Sequence, residues 1–474
     1  MIARRKTLLI AFPLIILIAS LQCRRATAVE QDPMDREAED ALVSYLRIDT
    51  TNPPGNETAG ARFLQQFLAK DGIEAKLIGS NPARQSVYAR LSSGTNEKAL
   101  LLLHHIDVVP VAPNEWTKPP FSGLRSGGYI WGRGALDIKS LGIAEAMAMI
   151  ELKRRHLPLR RDIIYLGVAD EERGGLHGCK ELLETRPELF NNVGYVLNEA
   201  GYNETVVDKV LFWGIEVQQK VPLFLRIHMK GQPGHSASPP DDGGTLVQLM
   251  HALDAVLRIP TPYRLTPAVS RYFTALAVTK HDYRGEALSA VTKGIDAYRI
   301  EHALPQGYRS LLRDTIAVTQ IHGGVCTNCM PANAFADVDI RVLDDEKTDG
   351  ILARVKAAMP KGAEVEVLLA AEPQKESPSD TELFRTLEVL MRRSEPGSVV
   401  GPIVSAGTSD SRYFRARGIV AYGIAPFKVN YYDADTVHAN DERIRANFFA
   451  QGTRLTREIV HDFCAQTGVS VPHR

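Results

Sequence analysis

The sequence predicts an α/β protein: a doubly wound sheet domain interrupted by a smaller inserted α+β domain. Three observations predict this. Short aliphatic runs alternate with segments of helical spacing as far as residue 217. Over 218–371 the pattern changes to strand-helix-strand-strand-helix-strand, the ferredoxin-like split βαβ arrangement. From Glu376 the first pattern resumes. A chain of 474 residues also exceeds what one hydrophobic core serves. The expected division is a leader over 1–28, a main domain in two parts, 29–217 and 372–474, and the insertion at 218–371.

The central element is Ala99–Pro110, ALLLLHHIDVVP, an aliphatic run that stops at His104, His105 and Asp107. Its length and aliphatic content fit a buried parallel strand covered on both faces. Residues two apart share a face, so His105 and Asp107 lie side by side at the strand's end, with His104 on the other face. A His beside a carboxylate suits a metal ligand, and also suits an ordinary strand end. Helices are expected at about Glu37–Leu46 and Ala59–Ala69, separated by the turn Thr51-Asn52-Pro53-Pro54-Gly55-Asn56. Further strands are Glu74–Ile78, Ser86–Leu91, Tyr129–Gly132, Asp162–Val168 and Val193–Leu197, with a long helix from about Lys139 to Arg155. In the insertion, Val221–Lys230 alternates, Leu246–Leu257 is helical, Thr315–Ile321 and Ala334–Val342 are strands, and Thr348–Met359 and Glu364–Leu369 close the unit. The stretch Thr261–Asp314 has mixed character and no assignable order. Ile419–Ile424 is a strand, and Asp441–His461 is expected to be one terminal helix.

Composition excludes several classes. Basic and acidic residues balance at 56 each, so no footprint for nucleic acid is visible. At 44% hydrophobic and 24% charged, the chain has the profile of a soluble globular enzyme. Arg4, Arg5 and Lys6 precede an apolar run from Leu8 to Leu21 and then Ala26-Thr27-Ala28, the pattern of a secretory signal. Its rivals are an uncleaved anchor and a lipid-modified Cys23. The signal reading implies a secreted or periplasmic protein with no membrane association after cleavage. Cys326 and Cys329 form a C-x-x-C with no second ligand pair, so a small disulfide or two inert thiols is expected.

Several strand ends carry ligand-type side chains: His105 and Asp107, then Glu171 and Glu172, then Glu199. Asp137 follows a Gly-rich turn, and His438 follows a strand. Two imidazoles with several carboxylates form a donor set for zinc or a similar divalent ion, not for calcium or a thiolate site. One catalytic zinc takes three protein ligands, and at least five are available here. Two ions sharing one carboxylate fit the surplus. In the Glu171-Glu172 pair, one residue can be a ligand and the other a base for the attacking water. Alone, Asp170-Glu171-Glu172 could equally be an exposed acidic turn.

With these motifs in hand, the chain resembles a family of dinuclear-zinc exopeptidases and amidohydrolases. The family includes aminoacylase, glutamate carboxypeptidase, the yeast vacuolar carboxypeptidase and succinyl-diaminopimelate desuccinylase. The resemblance covers about 37–463. It rests on His105-Ile106-Asp107-Val108-Val109-Pro110, Gly132-Arg133-Gly134-Ala135-Leu136-Asp137-Ile138-Lys139, Asp170-Glu171-Glu172, Asn198-Glu199-Ala200-Gly201, Gly234-His235-Ser236, Gly407-Thr408-Ser409-Asp410-Ser411-Arg412 and His438-Ala439-Asn440-Asp441-Glu442. It implies a zinc-exopeptidase-like sheet domain with a lid and dimerisation domain inserted. Asp137 would bridge two zinc ions, completed by His105 and Glu199 on one side and Glu172 and His438 on the other. Glu171 would be the general base and Asp107 would orient His105. The peptide after Asp137 would be cis. His235 would stabilise the oxyanion, and Asn328, Arg341, Thr408 and Arg412 would bind the substrate's polar end. His235 and Asn328 could also be turn residues, and Arg412 could pair with Asp410. The implied substrates are dipeptides, C-terminal residues or N-acyl amino acids, with a homodimer through the lid as a further implication. Rival functions are a secreted non-catalytic peptide-binding protein on this fold and an amidase for another small amide.

Overall fold

A computed structural model describes residues 32–466. The leader expected at 1–28 and Cys23 lie outside the described residues. Among the described residues, no helix is long and apolar enough to cross a membrane.

A nine-stranded mixed sheet organises the main domain. Its order is Ala75–Ile78, Ser86–Leu91, Ile163–Val168, Ala99–His105, Val193–Asn198, Val420–Gly423, Lys209–Gln219 and Val399–Ser405, with Tyr202–Val206 paired to Lys209–Gln219. Ile163–Val168, Ala99–His105, Val193–Asn198 and Val420–Gly423 are mutually parallel, so their C-terminal ends share one edge. Every residue of Ala99–His105 is buried. Leu100 and Leu102 pack with the helices Pro33–Leu46, Lys139–Arg154 and Ala446–Cys464. Leu101 and Leu103 face the opposite layer, with Leu182 and Phe414. At about 1.5–3 kcal/mol per buried leucine, these four fix where the strand ends.

The terminal helix starts at Ala446, not at Asp441. Arg443–Arg445 is instead a strand paired with Tyr129–Trp131. The stretch 261–314 forms the helices Pro267–Ala277, Tyr283–Val291, Ala297–Ala303 and Gln306–Ser310. Phe273, Leu276, Leu288 and Ile300 bury their apolar surface with Phe212, Ile403 and Val404 of the large sheet. This part of the 218–371 stretch is therefore joined to the main domain's core.

The rest of that stretch forms a four-stranded antiparallel sheet, ordered Thr315–Gly323, Asn333–Val342, Val221–Lys230 and Ala363–Ala370. Helices Gly244–Leu257 and Thr348–Ala358 cover one face. Cys326 and Cys329 are disulfide-bonded beside the small ladder that pairs His235 with Cys329. Lys220, at the passage between the two sheets, is 1% exposed and donates to the carbonyls of Ser310 and Arg313 and to Thr315 Oγ1.

Candidate metal centre

Parallel strands deliver the first candidates to one edge. His105 ends its strand, Glu171 and Glu172 open a single 3-10 turn after Ile163–Val168, and Glu199 follows Val193–Asn198. Asp137 sits just before the helix Lys139–Arg154, and its peptide to Ile138 is cis. His438 comes from the loop before Arg443–Arg445.

The side chains converge on Asp137. His105 Nε2 lies 3.0 Å from Asp137 Oδ1 and 3.7 Å from Glu199 Oε1. His438 Nε2 lies 3.1 Å from Asp137 Oδ2 and 3.2 Å from Glu172 Oε2. Two overlapping triads result, His105–Asp137–Glu199 and Asp137–Glu172–His438, each with its ligand atoms within 4.8 Å of one another. Asp137 is common to both and offers a different oxygen to each imidazole.

Electrostatics mark the cluster as short of positive charge. Burial, then the Glu199 carboxylate, pushes Glu171 well above the usual carboxylate range. Burial and Asp137 push Glu172 up to about 7. Hydrogen bonds to Asp137 and Glu172 hold His438 up at about 10. Burial raises the Asp137 carboxyl, but hydrogen bonds from His105 and His438 outweigh it and hold the group low. Glu172 Oε1 is buried with no hydrogen-bond partner. A donor set of two imidazoles and three carboxylates, with a buried carboxylate oxygen unpartnered, fits divalent cations of the zinc type.

Asp107 departs from its expected role of orienting His105 through its carboxylate. The imidazole Nδ1 is held by the Asp107 backbone carbonyl at 2.9 Å, while the nearer carboxylate oxygen is 3.7 Å away. The carboxylate instead accepts the backbone N–H groups of Glu171 and Glu172, both at 3.1 Å. It faces the acidic turn because Asp107 lies beyond the strand's last residue, where the two-residue period no longer applies.

The expected substrate groups fall into three places. Arg341 is half-buried, forks onto both oxygens of Asp339 at 2.7 and 2.9 Å, and donates to Thr408 Oγ1 at 2.9 Å. His235 and Asn328 share the exposed tip of the inserted domain, where Ser236 donates its backbone N–H to the Asn328 carbonyl. The His235 Nδ1 accepts the Ala237 N–H. Arg412, expected to hold substrate, is 4% exposed. Its guanidinium donates to the carbonyls of Gly174 and Ser409 and so braces the loop after the acidic turn, while its Nε is buried without a hydrogen-bond partner. It does not hydrogen-bond Asp410, whose buried carboxylate lies beside the Cys179 thiol and within reach of the Arg412 charge.

One supporting residue had no expected role. Glu442 is fully buried and accepts from Arg133 Nη1 and from the backbone N–H groups of Gly134, Leu136 and Asp137. Its position beside His438 in the sequence was the available signal.

Comparison with known proteins places the chain in a family. The N-fatty-acyl-amino acid synthase/hydrolase PM20D1 of Xenopus tropicalis is 29% identical over 428 residues, 85% of this chain and 81% of that protein. Aminoacylase-1 of Sus scrofa is 26% identical over 437 residues, 88% of this chain and 92% of that protein. Among solved structures, the M20 family metallo-carboxypeptidase Sso-CP2 of Sulfolobus solfataricus shares the fold with a TM-score of 0.71 at 20% identity, covering 90% of this chain and 98% of its own. Human carnosine dipeptidase 1 does so with a TM-score of 0.70 at 15% identity, covering 90% and 95%. The sequence pattern of peptidase family M20/M25/M40 matches residues 101–462. That span carries every member of both candidate metal-binding triads, and the chain belongs to peptidase family M20/M25/M40.

Proposed function

We propose that this metal-dependent amide hydrolase acts on small substrates with a free carboxylate: dipeptides, C-terminal residues of short peptides, or N-acyl amino acids. The observation that carries the reading is Asp137, whose two oxygens each face a different imidazole. Two divalent ions, zinc first, would be held by His105, Asp137 and Glu199 and by Asp137, Glu172 and His438. Such a pair supplies Lewis acidity toward water and the scissile carbonyl.

Glu171 takes the proton from the attacking water and returns it to the leaving amine. Asp107 holds the Glu171 and Glu172 amides and so fixes the turn. Arg341 and Thr408 receive the substrate carboxylate through Arg341 Nη1 and the Thr408 hydroxyl, since Asp339 already holds the Nε–Nη2 fork. The part of 218–371 built on the four-stranded sheet acts as a lid, bringing His235 and Asn328 to the substrate and excluding water. Its exposed edge strand Thr315–Gly323 supports pairing of two copies through this domain. The basic, apolar and small-residue pattern over 1–28 supports export to the periplasm or exterior.

The test is hydrolysis of a panel of dipeptides and N-acetyl amino acids by the zinc-loaded protein, with and without a chelator. Activity is expected with metal and lost without it. Glu171→Gln is expected to keep its metal and lose about 10²–10⁴ in kcat. Full activity in that variant overturns the assigned base.

A further inference from the structure

Asn52 lies in the turn between the first two helices, far in sequence from every ligand, and is 2% exposed. Its backbone N–H is bound to the Val108 carbonyl at 2.9 Å, which pins the residue beneath the end of the central strand. Its side-chain Nδ2 donates to two different carboxylates, Asp107 Oδ2 at 2.9 Å and Asp170 Oδ1 at 3.1 Å. Carboxylates only accept, so the amide nitrogen, not the oxygen, must face them.

Both carboxylates are tied to the acidic turn. Asp107 accepts the N–H groups of Glu171 and Glu172. Asp170 is the residue before the turn and has a left-handed backbone, with φ of 70°. Its Oδ2 accepts the His177 N–H at 2.9 Å, and its carbonyl accepts the Gly175 N–H. Asp170 Oδ1 also takes Arg84 Nη2 at 2.7 Å, and Arg84 in turn forks onto Glu57. The Arg84 charge is thus shared between Glu57 and Asp170, and none of its hydrogen bonds reaches Asp107. Among the described residues only the Asn52 amide hydrogen-bonds both Asp107 and Asp170, and it does so without adding charge to a cluster already crowded with carboxylates.

We infer that Asn52 is a positioning residue for proton transfer: its amide locks Asp107 and Asp170 together and thereby fixes the Glu171–Glu172 turn against the metal ligands. The inference rests on the reading of Glu171 as the base. Removing the amide leaves two buried carboxylates facing each other, and the turn they hold must shift to relieve them. A displacement of about 1 Å at a reacting group costs about 100-fold in rate. The Asn52 hydrogen bonds go to Asp107, Asp170 and the Val108 carbonyl and not to the metal-binding candidates, so metal content should not change.

The variants are Asn52→Leu, which keeps the branched shape at a larger volume and removes both donor hydrogens, and Asn52→Ser, which is smaller, keeps one donor and decides the question should the first fail to fold. They are measured with wild type and Glu171→Gln. kcat per metal-loaded chain and KM are read on the best substrate of the dipeptide and N-acetyl amino acid panel. Zinc content is read by elemental analysis, and amide exchange over 168–175 by mass spectrometry. Expected are a 10- to 100-fold lower kcat, KM and zinc content within two-fold of wild type, and faster exchange of the Glu171 and Glu172 amides. Wild-type kcat with unchanged exchange overturns the inference. So does loss of zinc in proportion to activity, which would make Asn52 a support of the ligands. An active Glu171→Gln enzyme instead refutes the underlying reading, and in that case the exchange data alone decide whether Asn52 holds the turn.

Discussion

The Glu442 carboxylate accepts the backbone N–H of Asp137 at 3.0 Å. One fully buried carboxylate thereby joins the loop of Asp137 to the loop that carries His438. Glu442→Ala leaves the buried Arg133 guanidinium without its ionic partner, and stability should fall by about 3–5 kcal/mol in urea unfolding. Glu442→Gln keeps the shape but replaces one acceptor oxygen with a donor. Zinc affinity in that variant should fall about 10- to 100-fold, measured by competition with a chelating dye.

Asp137 should account for both ions. Asp137→Ala is expected to lose both on dialysis, whereas His438→Ala should lose only the ion shared with Glu172. Elemental analysis of the dialysed proteins checks this. Retention of one ion in Asp137→Ala would show that the carboxylate does not bridge.

His104 stands outside both candidate metal-binding triads. Its Nδ1 faces Glu145 Oε2 at 3.2 Å on the far side of the strand, and burial pushes the imidazole down to about 3. The ring occupies space left by a glycine: a Cβ on Gly142 would stand 2.4 Å from His104 Cδ2. His104→Ala should keep its metal and cost about 2–4 kcal/mol through the cavity it leaves. Gly142→Ala alone should cost about 1–3 kcal/mol by overpacking, and clearly less in the His104→Ala background. Additive costs in the double variant would refute the fit.

Lys220 should set part of the pH dependence of stability. Burial pushes its ammonium down to about 7 from 10.5. Below pH 7 both folded and unfolded chains carry the proton, and the folded state bears the full desolvation cost. Between pH 7 and 10.5 the unfolded chain binds more protons, so this group's contribution to stability rises with pH. The slope is at most about 1.4 kcal/mol per pH unit. Urea midpoints at pH 7 and 9 should therefore diverge more in wild type than in Lys220→Met. Equal slopes would show that Lys220 is not desolvated in the folded state.

The sequence by itself determined the strands and what stands at their ends. Aliphatic runs such as Ala99–Leu103 report their own burial, and the polar residues that stop them report an edge. That was enough to single out His105, Glu171, Glu172, Glu199, Asp137 and His438, and to separate His104 from His105 by face. Lys209–Gln219 escaped the same logic. Its Glu216, Gln218 and Gln219 interrupt the apolar pattern, yet all are buried, and Glu216 is satisfied by Arg415, 199 residues away. Likewise, 261–314 has no period that names its partner, and only packing shows that its apolar faces cover Phe212 and Ile403.

Tertiary structure alone decided the pairings. It placed the two oxygens of Asp137 on different imidazoles and turned the Asp107 carboxylate toward the acidic turn. It buried Arg412 against backbone carbonyls, and it bound Glu442 to an amide 305 residues distant. Periodicity describes which face a residue occupies within its own element. The partner of a buried polar group is whatever the fold brings within about 3 Å, and no local pattern encodes that distance.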